Sequence, residues 1–171
     1  MPSRSLTIEQ VLTLLEETPP RLVGLTANLA PAQLRSAPSD DEWSANDVLA
    51  HIRACADVWG GCIATIIAEE RPTLRAINPR TWITQTDYRE LEFQDSLRTF
   101  AAQRAALLMV LEALPPEGWS RAATVGAGKA LERSVLFYAR WLAEHERPHV
   151  KQIARLVKSM PTEQRPPQAL S

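Results

Sequence analysis

The chain has 171 residues, 45% of them apolar and 23% charged, with a formal net charge of -1; this is the composition of a soluble globular domain with a core of its own, not of a disordered or fibrous chain. A near-neutral balance with pI ≈ 6.3 leaves no electrostatic footprint for nucleic acid, and no stretch approaches the ~20 apolar residues that span a bilayer. Met1 to Ser5 carries one Arg with no apolar segment behind it, so no signal peptide is expected.

Four long segments show helical periodicity, and nothing longer than a few residues alternates like a strand. The first runs from about Thr7 to Leu29 on a stripe of Val11, Leu14, Leu15, Leu22, Leu25 and Leu29. Pro19 and Pro20 interrupt it, which predicts a kink or two shorter helices. A turn-rich piece, Pro31 to Asp41, follows.

The second helix has the clearest start. Ser44 is a natural N-cap, Asp47 three residues on approximates a capping box, and Trp43 with Val48 stands at the spacing of a hydrophobic staple. Val48, His51, Ile52, Cys55, Val58, Trp59, Cys62, Ile63 and Ile66 form its buried face, and Arg71-Pro72 ends it. Cys55 and Cys62 lie two helical turns apart, roughly 10 Å and too far for a disulfide, so a reducing cytoplasm is the expected compartment.

The loop from Arg71 to Thr86, about sixteen residues, is long for a bundle, and loops of that length are often functional. Its Trp82 reads equally as a lid over a cavity or as packing on the bundle end. The third helix is expected from Asp87 to Leu114, before Pro115-Pro116. A Gly-containing connection, Pro116 to Gly128, leads to a fourth helix from Lys129 to Lys158 through Leu131, Val135, Tyr138, Trp141, Leu142, His145, His149, Ile153 and Leu156. The expectation is an all-α four-helix bundle, a single domain over residues 1–160, with 161–171 as a flexible proline-rich tail.

All three histidines fall on apolar stripes. His145 and His149 stand at i and i+4, on one helix face one turn apart, which is how a helix offers two nitrogens to one metal ion. His51 lies among Val48, Ile52 and Cys55, so it too points toward the core. A core histidine taken singly is more often a hydrogen-bonded residue than a ligand; three together on inward faces read as one metal site. Taken literally, His145-Glu146-Arg147-Pro148-His149 matches the zinc-protease motif His-Glu-x-x-His. No histidine follows it, the only acid downstream is Glu163 in the tail, and Pro148 removes the hydrogen bond to the Glu144 carbonyl. A protease is therefore set aside, and His51 upstream completes the set.

Three stretches, in order and spacing, resemble the DinB/YfiT-like superfamily. They are Trp43-Ser44-Ala45-Asn46-Asp47-Val48-Leu49-Ala50-His51-Ile52; Leu114 to Ala130, with Gly118-Trp119-Ser120 and Gly126 to Gly128; and His145-Glu146-Arg147-Pro148-His149-Val150-Lys151-Gln152-Ile153. The resemblance spans about Ile8 to Lys158. It implies a four-helix bundle whose His51, His145 and His149 bind a divalent transition metal, zinc or nickel, frequently in a homodimer. Some members of the family use the metal to activate a small thiol such as bacillithiol or mycothiol. Pro148 departs from the family pattern.

Three neutral imidazoles leave a dication uncompensated and at least one coordination position open, so bound water or thiol loses its proton more easily. The expected activity is a metal-dependent thiol S-transferase or hydrolase acting on a small molecule, with a thiolate or hydroxide nucleophile. A second catalytic group is not evident. Glu146 points about 100° away from His145 and reads as solvated, and Glu144 has the same problem in the other direction. Cys55 is in reach of the metal as a thiolate, but its setting favours a small buried apolar residue. Asp47 is placed to orient His51, though capping already explains it. The alternative is a binding or structural bundle in which metal stabilises the fold without turnover.

Overall fold

In the computed structural model, which describes residues 5–126 and 129–161, four long helices each begin at a side-chain cap. Helix α1 (Ile8–Thr26) starts at Thr7, whose hydroxyl accepts from the Gln10 N–H while the Gln10 side chain returns to the Thr7 N–H. Helix α2 (Pro31–Arg35) is a short turn with proline at its first position. Helix α3 (Ala45–Ala68) starts at Ser44 with the expected capping box to Asp47. Helix α4 (Pro79–Trp82) is capped by Asn78. Helix α5 (Phe93–Glu112) starts at Glu92, and α6 (Val135–Ser159) at Ser134. These caps satisfy donors that a helix start leaves open, each worth about 1 kcal/mol.

Packing runs around a ring in which α6 lies between α1 and α3, and α5 closes the other side between the same two helices. The first two long helices in the chain, α1 and α3, are therefore diagonal in the bundle. The buried apolar residues fall into two clusters along its length. One gathers Val11, Leu15, Cys55, Ile63, Leu111 and Leu142; the other gathers Leu22, Leu49, Ile52, Phe100, Val150 and Ile153. Between them, on α6, sit His145, Glu146 and His149.

Helix α1 runs unbroken through Pro19 and Pro20, against the expected kink or division. Each proline deprives the carbonyl four residues back of its donor. The Leu15 carbonyl freed by Pro19 accepts instead from Arg104 Nη1 at 3.0 Å, while Glu16, opposite Pro20, is exposed to water. Pro148 is accommodated in the same manner: Glu144, whose carbonyl it frees, is exposed, and α6 continues through it.

Two helix starts differ from expectation. Helix α5 begins at Phe93, not Asp87, because Glu92 caps it. Helix α6 begins at Val135, not Lys129, and Leu131 leaves the helical stripe for a strand. A three-stranded sheet explains this: β1 (Thr73–Leu74) pairs parallel with β2 (Ala122–Val125), and β2 pairs antiparallel with β3 (Leu131–Ser134), in the order β1-β2-β3. Strands this short escape periodicity, and the sheet ties the segment after α3 to the entry of α6. The Arg71–Thr86 loop is thus built from β1, α4 and a 3-10 turn at Ile83–Gln85. The expected tail falls, beyond Pro161, outside the described residues. No helix among the described residues is long and apolar enough to cross a membrane.

Candidate metal centre

His51 comes from the second turn of α3, and His145 and His149 from successive turns of α6. The contact between these two helices brings all three rings together. His51 Nε2 lies 3.0 Å from His145 Nε2, and His149 Nε2 lies 3.2 Å from the same atom. One ligand atom from each of the three is within 4.8 Å of the others. Ligands about 2.0–2.1 Å from a single ion stand roughly 2.8–3.4 Å apart, from octahedral to tetrahedral geometry, so the separations of His51 and His149 from His145 are those of ligands that share one ion.

The rings are positioned by their surroundings. The Oε1 atom of Gln152, one turn after His149, lies 3.0 Å from His149 Nδ1. With that oxygen as acceptor, Nδ1 carries the proton and Nε2 keeps its lone pair for a metal. Trp43, the residue before the α3 cap, stacks on His149 with centroids 6.4 Å apart and tilts over His51 at 5.2 Å. Trp59 meets His145 edge-on at 5.1 Å. The sequence placed these tryptophans in a staple and on a buried face; their contact with the histidines was not foreseen, nor was the hydrogen bond from His149 to Gln152, although its i,i+3 spacing from His149 carries that signal.

Electrostatics keep the cluster ready for a cation. Burial pushes His51 down from 6.5 to about 4, and the positive forms of His149, His145 and Arg80 add to this. Burial likewise lowers His145 to about 4, with His149 and Arg80 contributing. Both rings are neutral near pH 7 and present lone pairs, the state a metal requires.

Two neighbours take the structural roles that the sequence favoured for them. Cys55 Sγ is 3.6 Å from His51 Nε2, but burial, with Glu146 adding, pushes its thiol up to about 12. In this setting it is a protonated, buried apolar-like side chain. Asp47 binds the Ser44 N–H and hydroxyl at 3.0 and 2.8 Å, so it caps α3 and does not orient His51.

Glu146 is the clearest correction. It is not solvated but 1% exposed, in a two-point ion pair with Arg104 of α5, whose Nη1 donates to Oε2 at 2.9 Å and whose Nη2 donates to Oε1. The rotation of about 100° from His145 carries Glu146 toward α1, which packs on α6, and toward the Arg104 side chain of α5. Its two oxygens are engaged, so it is not a base for the centre. Trp82 is not a lid over the histidines: its Nε1 donates to Asp57 Oδ2 at 3.1 Å, and it packs by Ala50, Ala54 and Ile83.

A cleft of about 690 Å³ opens beside His149, with Trp43, Gln152, Arg80 and Arg155 in its walls. That is the size range of small-molecule sites. Arg80 was not singled out in the sequence, because a lone Arg in a long loop carries no periodic signal.

The DinB superfamily model matches residues 14–153. The chain belongs to the DinB superfamily. Its fold is similar to that of YfiT from Bacillus subtilis, described as a probable metal-dependent hydrolase with an unusual four-helix bundle topology; the TM-score is 0.74 at 18% identity, over 92% of this chain and 91% of that one. The likeness to YfiT extends to the fold, and it agrees with the all-α four-helix bundle expected from periodicity. No curated protein matches the chain.

Proposed function

We propose that His51, His145 and His149 bind one divalent transition metal, zinc or nickel, and that this DinB-superfamily protein is a metal-dependent enzyme acting on a small molecule by hydrolysis or thiol transfer. The observation that carries the proposal is the convergence of three Nε2 atoms at 3.0 and 3.2 Å. When bound, the ion supplies a Lewis acid that eases proton loss from a coordinated water or thiol. The family and the description of YfiT as a probable metal-dependent hydrolase support the same reading.

The chain's own residues do the rest. Three neutral imidazoles hold the ion without cancelling its charge, while Gln152 fixes the His149 tautomer. Trp43 and Trp59 wall the cluster with apolar rings, limiting water and strengthening electrostatic interactions there. The cleft beside His149 admits substrate from one side.

One observation favours a second reading. The buried carboxylate next to the ligands, Glu146, is fully engaged by Arg104, and a centre without a general acid or base fits a metal-stabilised binding bundle as well. Zinc- or nickel-loaded protein assayed on activated esters and on thiol addition to an aryl halide separates the two. The enzyme reading expects a metal-dependent rate that falls at least about tenfold in His149→Ala, a loss of 1.4 kcal/mol or more in transition-state stabilisation. Bound metal with equal rates in both proteins would leave the binding bundle.

A further inference from the structure

The charged groups of the cleft beside His149 are not needed to hold a metal. Arg80 reaches it from α4 and Arg155 from α6, two turns beyond His149. Among the described residues neither guanidinium enters a salt bridge, and Arg80 donates to Asn78 Oδ1 at 2.9 Å through its backbone N–H. Two acids, Asp41 and Glu42, line the same cleft, and Glu42 is engaged by the Ser39 hydroxyl at 2.9 Å.

An exposed arginine is ordinarily a solvated one, but the backbone that carries Arg80 is fastened. Asn78 caps α4 in front of it. Two residues after it, Trp82 donates to Asp57 Oδ2, and the same carboxylate accepts from Tyr88 at 2.5 Å and Gln103 at 2.8 Å. Trp82 and Ile83 pack beside Ala50 and Ala54 of α3, the residues flanking the His51 turn. Asp57 thus clamps the long loop against the helix that supplies His51, and Arg80 is held at the cleft on a short capped helix. A fastened backbone reduces the freedom that the Arg80 side chain must lose on binding a partner.

We infer that the small molecule handled at this centre carries a carboxylate remote from its metal-binding group, and that Arg80 and Arg155 bind that carboxylate across the cleft. The inference rests on the metal reading proposed above and adds a substrate class to it. Guanidinium groups match the planar carboxylate with charge-assisted hydrogen bonds. Asp41 and Glu42 balance the two arginines in charge, which disfavours a dianionic phosphate relative to a singly charged carboxylate. At about 690 Å³ the cleft has room for both ends of a metabolite-sized molecule.

The test uses cobalt-loaded full-length protein and follows the thiolate-to-cobalt absorption band. ω-Mercaptocarboxylates of two to five carbons are titrated against mercaptoalcohols of the same length. The quantity read is the affinity ratio of carboxylate to alcohol, compared between proteins so that differences intrinsic to the thiols cancel. Wild type is expected to favour the carboxylate at least about tenfold at one chain length, or 1.4 kcal/mol. In the Arg80→Gln/Arg155→Gln double variant the ratio is expected to drop below about twofold with alcohol affinity unchanged. Arg75→Gln, in the same loop but outside this cleft, keeps the wild-type ratio. A wild-type ratio near one at every length, or one retained in the double variant, overturns the inference while leaving the metal reading intact. Failure of cobalt to bind removes the metal reading itself, and the inference with it, before any thiol is added.

Discussion

Two polar clusters meet on α6 at consecutive residues, and they are built on opposite plans. Glu146 faces Arg104 in a closed network: both carboxylate oxygens are occupied, and the remaining Arg104 hydrogen bond goes to the Leu15 carbonyl that Pro19 leaves without a donor. His145 faces His51 and His149 in an open one, where three acceptor nitrogens converge and none has a protein cation beside it within hydrogen-bond reach. A closed buried network holds structure and specifies packing. Convergent lone pairs with no cation beside them are the arrangement proposed above to take a metal.

The largest effect that tests this contrast lies on the closed side. Glu146→Ala leaves the Arg104 charge buried and unpaired, and is expected to cost about 3–5 kcal/mol, a fall in Tm on the order of 10 °C for a chain of this length. Replacing both partners, as in Arg104→Met/Glu146→Leu, should restore most of that loss. A double variant as unstable as the single one would show that the pair does more than satisfy itself. On the open side, Gln152→Ala should lower metal affinity by roughly 10–100-fold while leaving the unfolding free energy of the metal-free protein within about 0.5 kcal/mol of wild type. Unchanged affinity, by competition with a chromophoric chelator, would remove Gln152 from the site.

Acid separates the clusters by a smaller margin. His51 and His145 titrate near 4 in the fold against 6.5 when free. Between those values the unfolded chain binds more protons than the folded one, so the contribution of the two neutral rings is complete above pH about 6.5 and declines as pH falls toward 4. Urea midpoints of the metal-free protein should drop over that window, and the drop should shrink in His51→Gln/His145→Gln. A midpoint flat from pH 7 to 4.5 would contradict the buried, neutral state of the rings.

How legible each cluster was follows from its range in sequence. The histidines could be read because each sits on an apolar stripe of its own helix, and because i,i+4 spacing is a local property. The four long helices were legible for the same reason, down to the Ser44–Asp47 capping box. The Arg104–Glu146 pair was not: its partners lie 42 residues apart, and a charged residue off the apolar stripe reads as solvated unless the arrangement of helices is known. The unbroken α1 was hidden likewise, since the donor that replaces Pro19's missing N–H comes from α5. The small sheet was missed because β1 has 2 residues and β2 and β3 have 4 each, too few for an alternating pattern to show.

The most direct test of the account is calorimetric titration of tag-free, metal-free protein with zinc and with nickel, alongside His51→Ala, His145→Ala and His149→Ala. The account predicts about one equivalent of metal per chain in wild type, with no proton released by His51 or His145 near pH 7 because those rings are already neutral, and a loss of affinity of at least about 100-fold in each variant. Less than about a tenth of an equivalent in wild type, or undiminished affinity in the variants, would contradict it.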